Sequence, residues 1–259
     1  MKRLLVANHQ GGRKYSKGKL ETLVNAQIDN LLDLEWKPAD IILIANFEHE
    51  FMKVKSTVVP DLNRGCLTGS KMFALRWLFN NIEVTDTIWA GDLDLWANHK
   101  FKEPSFKDVG ITTYSTPKYN GGSVFWKPTA KDIIEDIVNV LETEKAAREE
   151  PTINTLLKKK YKDRVTKIDT TFNVGCSGFV PRFQRAKKPV RVLHFHPTNR
   201  IAWETHCLDR NGIDEVAVSL RLELLLRKYY PNLATRLQPD GRAKADKLRR
   251  ERLMKELAK

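Results

Sequence analysis

Cysteine is scarce in this chain of 259 residues: Cys66, Cys176 and Cys207 stand far apart, with no C-x-x-C pair among them. That spacing argues against a disulfide framework and against a thiolate zinc site, and it suits a reducing cytoplasm. Long apolar runs are missing as well. Nothing approaches the roughly 20 residues that a membrane-spanning helix needs, so no membrane span is expected. The opening MKRLLVANHQ turns from basic to apolar, but its apolar part is too short for a secretory signal and reads as a first core strand. Internal repeats are not visible. Acidic residues are also in short supply, with 32 Asp and Glu against 45 Lys and Arg, which leaves a net charge of +13. A surplus of that size favours a polyanionic partner such as nucleic acid, an anionic membrane surface or a phosphorylated ligand; the plainer alternative is a surplus that only keeps the protein soluble.

What is present is the material of a soluble globular protein, with 41% hydrophobic residues, six Trp and eleven Phe. The length allows one large domain, or one domain with an appendage. Strand-like runs at 3–8, 40–47, 87–91, 109–115 and 122–128 alternate with segments of helical spacing at 20–34, 68–81 and 130–150. Thr68 or Ser70 is a plausible cap for the second helix and Thr129 for the third. Another helix is expected after Pro151, followed by late strands in RVTKIDTTFN and VRVLHFHP, and a helical tail from about residue 214. Alternating strands and helices predict an α/β fold with a mixed, mostly parallel sheet flanked by helices. The domain expectation is a catalytic body over 1–212 and a helical, basic extension over 213–259. The last twenty residues hold eight Lys and Arg against four Asp and Glu.

The stretch DTIWAGDLDLWANH carries the chemistry. An apolar strand ends at Gly91, and Asp92 and Asp94 follow with one Leu between them. Strand alternation or a turn directs both carboxylates to one side, where their repulsion is relieved by a divalent cation such as Mg²⁺ or Mn²⁺. The competing reading is a pair of turn caps. His194 and His196 share one face of a late strand, and either imidazole can complete such a site or be a core histidine with a satisfied N–H. Lys71 and Arg200 are candidates for contacts to a diphosphate or are merely solvated cations. In YNGGSVFW, Asn120 offers a donor and an acceptor, and Gly121 and Gly122 permit close approach of a ligand to the backbone. An Asn-Gly-Gly hairpin turn is the alternative. Glu149 and Glu150 open a helix, either as acid–base groups or as dipole-stabilising residues.

In this order, the apolar strand into Asp92-Leu93-Asp94, YNGGSVFWKP, EEPTINTLL and LHFHPTNR resemble the signatures of nucleotide-sugar-dependent glycosyltransferases of the GT-A fold. They resemble, in turn, the D-x-D that holds the metal bridging the donor's diphosphate, the strand beside the donor sugar, the D-Q-x-x-L-N segment near the reaction centre, and the strand whose histidine completes the metal site. The resemblance spans roughly residues 3–200. It implies a GT-A-like (Rossmann-like) domain, a UDP-sugar donor, and Asp92, Asp94 and one of His194 and His196 as metal ligands, with Asp94 the first choice. It further implies Ala7, Asn8 and His9 at the nucleoside, Asn120, Gly121 and Gly122 at the sugar, and Lys71 and Arg200 at the diphosphate. For an inverting reaction it implies Glu150, then Glu149, as base. The chain departs from the family in showing no clear base-stacking aromatic unless Tyr15 serves. Size, basicity and the lack of a membrane segment resemble the bacteriophage enzymes that glycosylate hydroxymethylated pyrimidines in double-stranded DNA, which makes such DNA the expected acceptor, with Trp96, Phe125, Trp126 and Trp203 as stacking candidates. The rivals are a cytoplasmic transferase acting on a saccharide or protein, and a non-catalytic nucleic-acid-binding α/β protein.

Overall fold

A computed structural model of the chain describes residues 1–9, 16–62, 69–113, 118–144, 147–175, 189–194 and 219–231. Gly11, Gly12, Tyr15, Thr68, His196, Arg200, Trp203, the three cysteines and the tail beyond 231 lie outside the described residues. With strands and helices numbered along the chain, β1 (Lys2–Ala7), β2 (Ile41–Ala45), β3 (Glu50–Phe51), β4 (Val54–Val58), β5 (Ile88–Gly91), β7 (Val109–Thr113), β8 (Tyr119–Trp126) and β9 (Val165–Lys167) form one sheet. Its order is β3-β4-β2-β1-β5-β8-β7-β9. The pairings β1/β2, β1/β5, β2/β4 and β7/β9 are parallel, and β3/β4, β5/β8 and β7/β8 are antiparallel. The expected mixed, mostly parallel sheet is therefore present. β6 (Leu95–Ala97), β10 (Val174–Gly175) and β11 (Val192–His194) form a second sheet in the order β10-β11-β6.

Strand alternation sends neighbouring side chains to opposite faces of the main sheet. Leu4, Ala90, Val124 and Trp126 pack on α2 (Ser70–Asn81), α3 (Lys131–Thr143) and α4 (Glu149–Lys159). Leu5, Trp89 and Phe125 pack on the other side, with Leu20, Val24 and Ile28 of α1 (Lys17–Asp33). Trp96, Phe125 and Trp126 are buried core, so these three stacking candidates do not face a ligand. A third cluster joins Leu23 and Ala26 of α1, Trp96, Leu193, and Leu222 and Leu226 of α5 (Leu220–Tyr229). Arg221 of α5 also donates to Asn30 Oδ1 and Ala97 O, each at 2.8 Å. The first described helix of the expected extension is thus packed into the body.

Several elements differ from the sequence reading. The β3–β4 hairpin was not expected, because Met52 and Lys53 turn it with φ of 48° and 65° and no Gly or Asn marks the turn. α2 starts from Gly69 with no side-chain cap, and the Ser70 hydroxyl accepts instead from Asn8 Nδ2 at 2.8 Å. Thr129 lies in a 3-10 turn before α3 and donates to Asp108 Oδ1 at 2.5 Å. α4 begins at Glu149, two residues before Pro151; proline fits there because first-turn N–H groups have no intrahelical partner.

Replacing fully buried Leu226 by Ala is expected to lower stability by about 2–5 kcal/mol in a single urea transition followed by tryptophan fluorescence. An unchanged main transition would show that α5 melts separately from the body.

Candidate metal and donor site

The sheet order sets the location. β1 lies between β2, reached through α1, and β5, which comes later in the chain, so the connections diverge to either side of β1. In open α/β sheets ligands collect outside the carboxyl ends of strands at such a switch point. Asn8 and His9 follow β1 there, and Asp92 follows β5. Asn46, just past β2, pairs its amide with the His9 backbone: Oδ1 accepts from His9 N at 2.8 Å and Nδ2 donates to His9 O at 2.9 Å.

Asp92 and Asp94 meet through a turn. Leu95 N donates to Asp92 O at 3.2 Å, and the chain then reverses into β6. Both carboxylates swing to the same side. Asp94 is nearly buried, with a side-chain exposure of 7%, whereas Asp92 keeps 45% and faces the opening. The antiparallel pairing of β11 with β6 sets His194 opposite Leu95, next to Asp94. His194 Nε2 lies 3.2 Å from Asp94 Oδ1 and 3.5 Å from Asp92 Oδ2. Ligand atoms of Asp92, Asp94 and His194 all fall within 4.8 Å of one another. Burial works against a charge on His194, but the hydrogen bond and charge of Asp94, with Asp92 behind them, raise its pKa above the usual histidine value.

β8 supplies the opposite wall. Its register with β7 jumps from Ile111↔Val124 to Thr112↔Asn120, so Gly121, Gly122 and Ser123 bulge without a partner on β7. Gly122 O accepts from Asp92 N at 2.9 Å, continuing the β5 ladder, and the bulge leaves Gly121 O to Lys71 Nζ at 2.7 Å. Asn120 is buried, and its Oδ1 accepts from Gly122 N at 2.9 Å, closing the bulge on itself. The lack of a side chain at Gly122 leaves room for His194. A Cβ at Gly122 would lie 2.5 Å from His194 Cε1 and 2.7 Å from Nδ1.

Lys71, buried in α2, has its three N–H donors met by Asp92 Oδ1 at 2.8 Å, Gly121 O at 2.7 Å and Glu149 Oε1 at 2.8 Å. Burial alone would depress its pKa, but the charges of Asp92 and Glu149 outweigh burial and raise it. Burial pushes the Glu149 carboxyl up to about 7, against the pull of Lys71. The two glutamates therefore part ways: Glu149 points into the site, and Glu150 pairs with Lys118 at 2.7 Å. Ala7 is fully buried at the end of β1. Three residues of this site were not anticipated. Asn154 clamps Tyr119, accepting from its N–H at 2.8 Å and donating to its carbonyl at 2.9 Å, which anchors β8 to α4. Arg3, fully buried in β1, lies 4.2 Å from the Trp89 ring centroid and donates to Trp89 O and Asp92 O at 3.2 and 3.4 Å. Asn173 reaches His194 Nδ1 with its Oδ1 at 3.2 Å. Asn154 sits in the EEPTINTLL segment and was there to be noticed. A cation in an apolar strand and an Asn after TTF carry no such signal.

No protein-family model matches the chain, and no curated protein does. Solved structures do. A galactosyltransferase, LgtC, crystallised with donor and acceptor sugar analogues, superposes with a TM-score of 0.56 at 12% identity over 94% of this chain and all of its own. A glycosyltransferase involved in glycosylating the major capsid of the virus PBCV-1 matches with 0.52 at 10% identity, over 77% of this chain and 95% of its own. GlyE of Streptococcus pneumoniae matches with 0.53 at 12% identity; the match takes in 89% of this chain but only 64% of GlyE. The fold is that of the GT-A glycosyltransferases. Within that fold, the Asp92–Asp94–His194 group and the bulged first half of β8 lie together at the carboxyl end of β5.

Two outcomes test this geometry. Gly122→Ala should displace the His194 ring and weaken Mn²⁺ binding at least tenfold by electron paramagnetic resonance, with circular dichroism unchanged; wild-type affinity would show that the ring has room to spare. Lys71→Met should cost about 3–5 kcal/mol in urea melts, because Glu149 loses its buried counter-charge. Adding Glu149→Gln should restore part of that loss, and no recovery would mean the two are not energetically paired.

Proposed function

We propose that this chain is a divalent-metal-dependent glycosyltransferase that takes a sugar from a nucleoside diphosphate, UDP in the first instance, and delivers it to a hydroxyl acceptor. The observation that carries the reading is the group formed by Asp92, Asp94 and His194 at the carboxyl end of β5, at the switch point of a GT-A sheet. Its donor set fits the expected ion, since two hard carboxylate oxygens and one imidazole nitrogen suit Mn²⁺ or Mg²⁺. Such an ion supplies Lewis-acid stabilisation of the charge that grows on a leaving diphosphate.

The protein's own groups divide the remaining work. Asp94 and His194, the more shielded of the three, would hold the ion together with Asp92, whose greater exposure leaves it open to a diphosphate. Lys71 keeps Asp92 and Glu149 from repelling one another and places a positive charge beneath the donor. Glu149, with its carboxyl near neutrality, is suited to accept a hydrogen bond from a sugar hydroxyl or to take the proton of the acceptor. Ala7 ends β1 and Asn8 and His9 follow it, where a nucleoside would lie, and Asn120 with Gly121 would line the sugar side.

Two acceptors are carried forward. The net charge of +13 supports a polyanion, and hydroxymethylated pyrimidines in double-stranded DNA present a hydroxyl in the major groove. The likeness to LgtC, crystallised with an acceptor sugar analogue, and to the PBCV-1 capsid enzyme favours a saccharide or protein. Among the described residues no helix is long and apolar enough to cross a membrane.

The deciding experiment incubates the protein with Mn²⁺ and a panel of UDP-sugars, once with hydroxymethylcytosine or hydroxymethyluracil DNA and once with oligosaccharides or peptides. Mass spectrometry of the products reads donor and acceptor together. Asp94→Ala should abolish both transfer and slow donor hydrolysis while leaving the melting curve intact, and near-normal turnover by that variant would sink the metal assignment. Glu149→Gln should slow transfer by about 10²-fold or more, whereas Glu150→Gln should stay within a few-fold. The reverse pattern would return the role to Glu150.

A further inference from the structure

His194 has an oxygen at each of its nitrogens. Nε2 faces Asp94 Oδ1 at 3.2 Å and Asp92 Oδ2 at 3.5 Å, and Nδ1 faces Asn173 Oδ1 at 3.2 Å. The ring also lies against the backbone of Gly122, so it has little freedom to tilt. A neutral imidazole carries one N–H and one lone pair, and a carboxamide oxygen can only accept. With Asn173 Oδ1 at Nδ1, a neutral His194 keeps its proton on Nδ1, which leaves the Nε2 lone pair free for a cation placed between the ring and the two carboxylates. Two carboxylates facing Nε2 call for a positive charge there, met either by an N–H of the protonated ring or by a bound cation.

We propose that Asn173 is the positioning residue of the metal site: its carboxamide oxygen accepts the Nδ1–H of His194 and holds the imidazole in the tautomer whose Nε2 faces Asp92 and Asp94. This deepens the metal reading above and rests on it. A ligating histidine generally needs such an outer partner to fix its tautomer and orientation. Asn173 does so without charge, in a site already crowded by Asp92, Asp94 and Glu149.

The segment around Asn173 is built to hold that amide still. Asp169 caps a 3-10 turn, accepting from Thr171 N at 2.9 Å, and Asn173 N donates to Thr170 O at 3.0 Å. Phe172 is locked into the aromatic core, with ring centroids 5.4 Å from Phe101 and 5.5 Å from Phe125. Arg191, just before β11, ties that strand to the 3-10 turn ahead of Asn173. Its N–H donates to Thr171 O at 3.0 Å and its guanidinium to Thr171 Oγ1 at 2.6 Å. Immediately after Asn173, β10 pairs with β11, Val174 with Leu193 and Gly175 with His194. Asn173 and His194 are therefore carried by one rigid frame. Asn173 is itself buried, and its Nδ2 meets no partner among the described residues. A buried amide that leaves a donor unmet is costly for packing alone, where a leucine would serve. Its use at this position is the acceptor it presents to His194.

The test uses the full chain with Mn²⁺ as probe, titrated by electron paramagnetic resonance, together with ¹⁵N spectra of the His194 ring in the Mg²⁺-loaded wild type. Asn173→Leu should weaken Mn²⁺ binding about 10–100-fold, and Asn173→Asp, which keeps the acceptor, should stay within a few-fold of wild type. The wild-type ring should carry its proton on Nδ1. Wild-type affinity in Asn173→Leu, or a proton on Nε2 in the Mg²⁺-loaded protein, would overturn the proposal; the latter reading needs no variant to fold. Failure of the wild type to bind Mn²⁺, or binding that survives Asp94→Ala, would instead strike the metal reading beneath it. Tight binding that is lost in Asp94→Ala but kept in Asn173→Leu would strike the role of Asn173 alone.

Discussion

One lysine nitrogen joins the three segments from which the site is made. Lys71 Nζ touches Asp92 after β5, the Gly121 carbonyl in the bulge of β8 and Glu149 in the first turn of α4. Each of these groups is negative or carries a partial negative charge, and two of the three partners, like Lys71 itself, are largely shielded from water. Without a cation among them the acids would repel at close range in a medium that screens poorly. α2, which presents Lys71, is thereby fixed against β5, β8 and α4 by charge as well as by the apolar packing of Met72, Leu75 and Leu78.

The second constraint is one of space. Gly91 and Gly122 lie where strands, turn and histidine converge, and a Cβ at Gly91 would come within 2.5 Å of Gly122 O. Bulging β8 by three residues releases the Gly121 carbonyl from the β7 ladder and gives it to Lys71, while Gly122 O stays on the β5 side and accepts from Asp92 N. Local irregularity of this kind is how a sheet re-aims groups at its end. Arg3 adds a buried cation under the Asp92 backbone, stacked on Trp89, so positive groups stand on two sides of the acid pair.

Much of this was legible in the residues. Apolar runs such as RLLVA and IILIA announce covered strands, and α1 and α3 follow from helical spacing. The D-x-D after TIWAG, the NGG of β8, the paired glutamates and the late histidine strand stood in the order in which the fold brings them together. Less legible were short or unsignalled pieces. β6 is three residues inside the acid stretch, and the β3–β4 hairpin turns on Met52 and Lys53, residues that avoid positive φ elsewhere.

By itself, the sequence determined the α/β class, the strands that end in chemistry and the candidates Asp92, Asp94 and one of His194 and His196, because alternation, helical spacing and residue type are local properties. Only the tertiary structure decided how those side chains are arranged. That Glu149 rather than Glu150 turns inward depends on which face of α4 meets β8. That Gly122 makes room for His194 depends on a pairing between residues far apart in the chain. That Lys71 and Asn173 serve the acids and the histidine depends on long-range contacts, which no local pattern encodes.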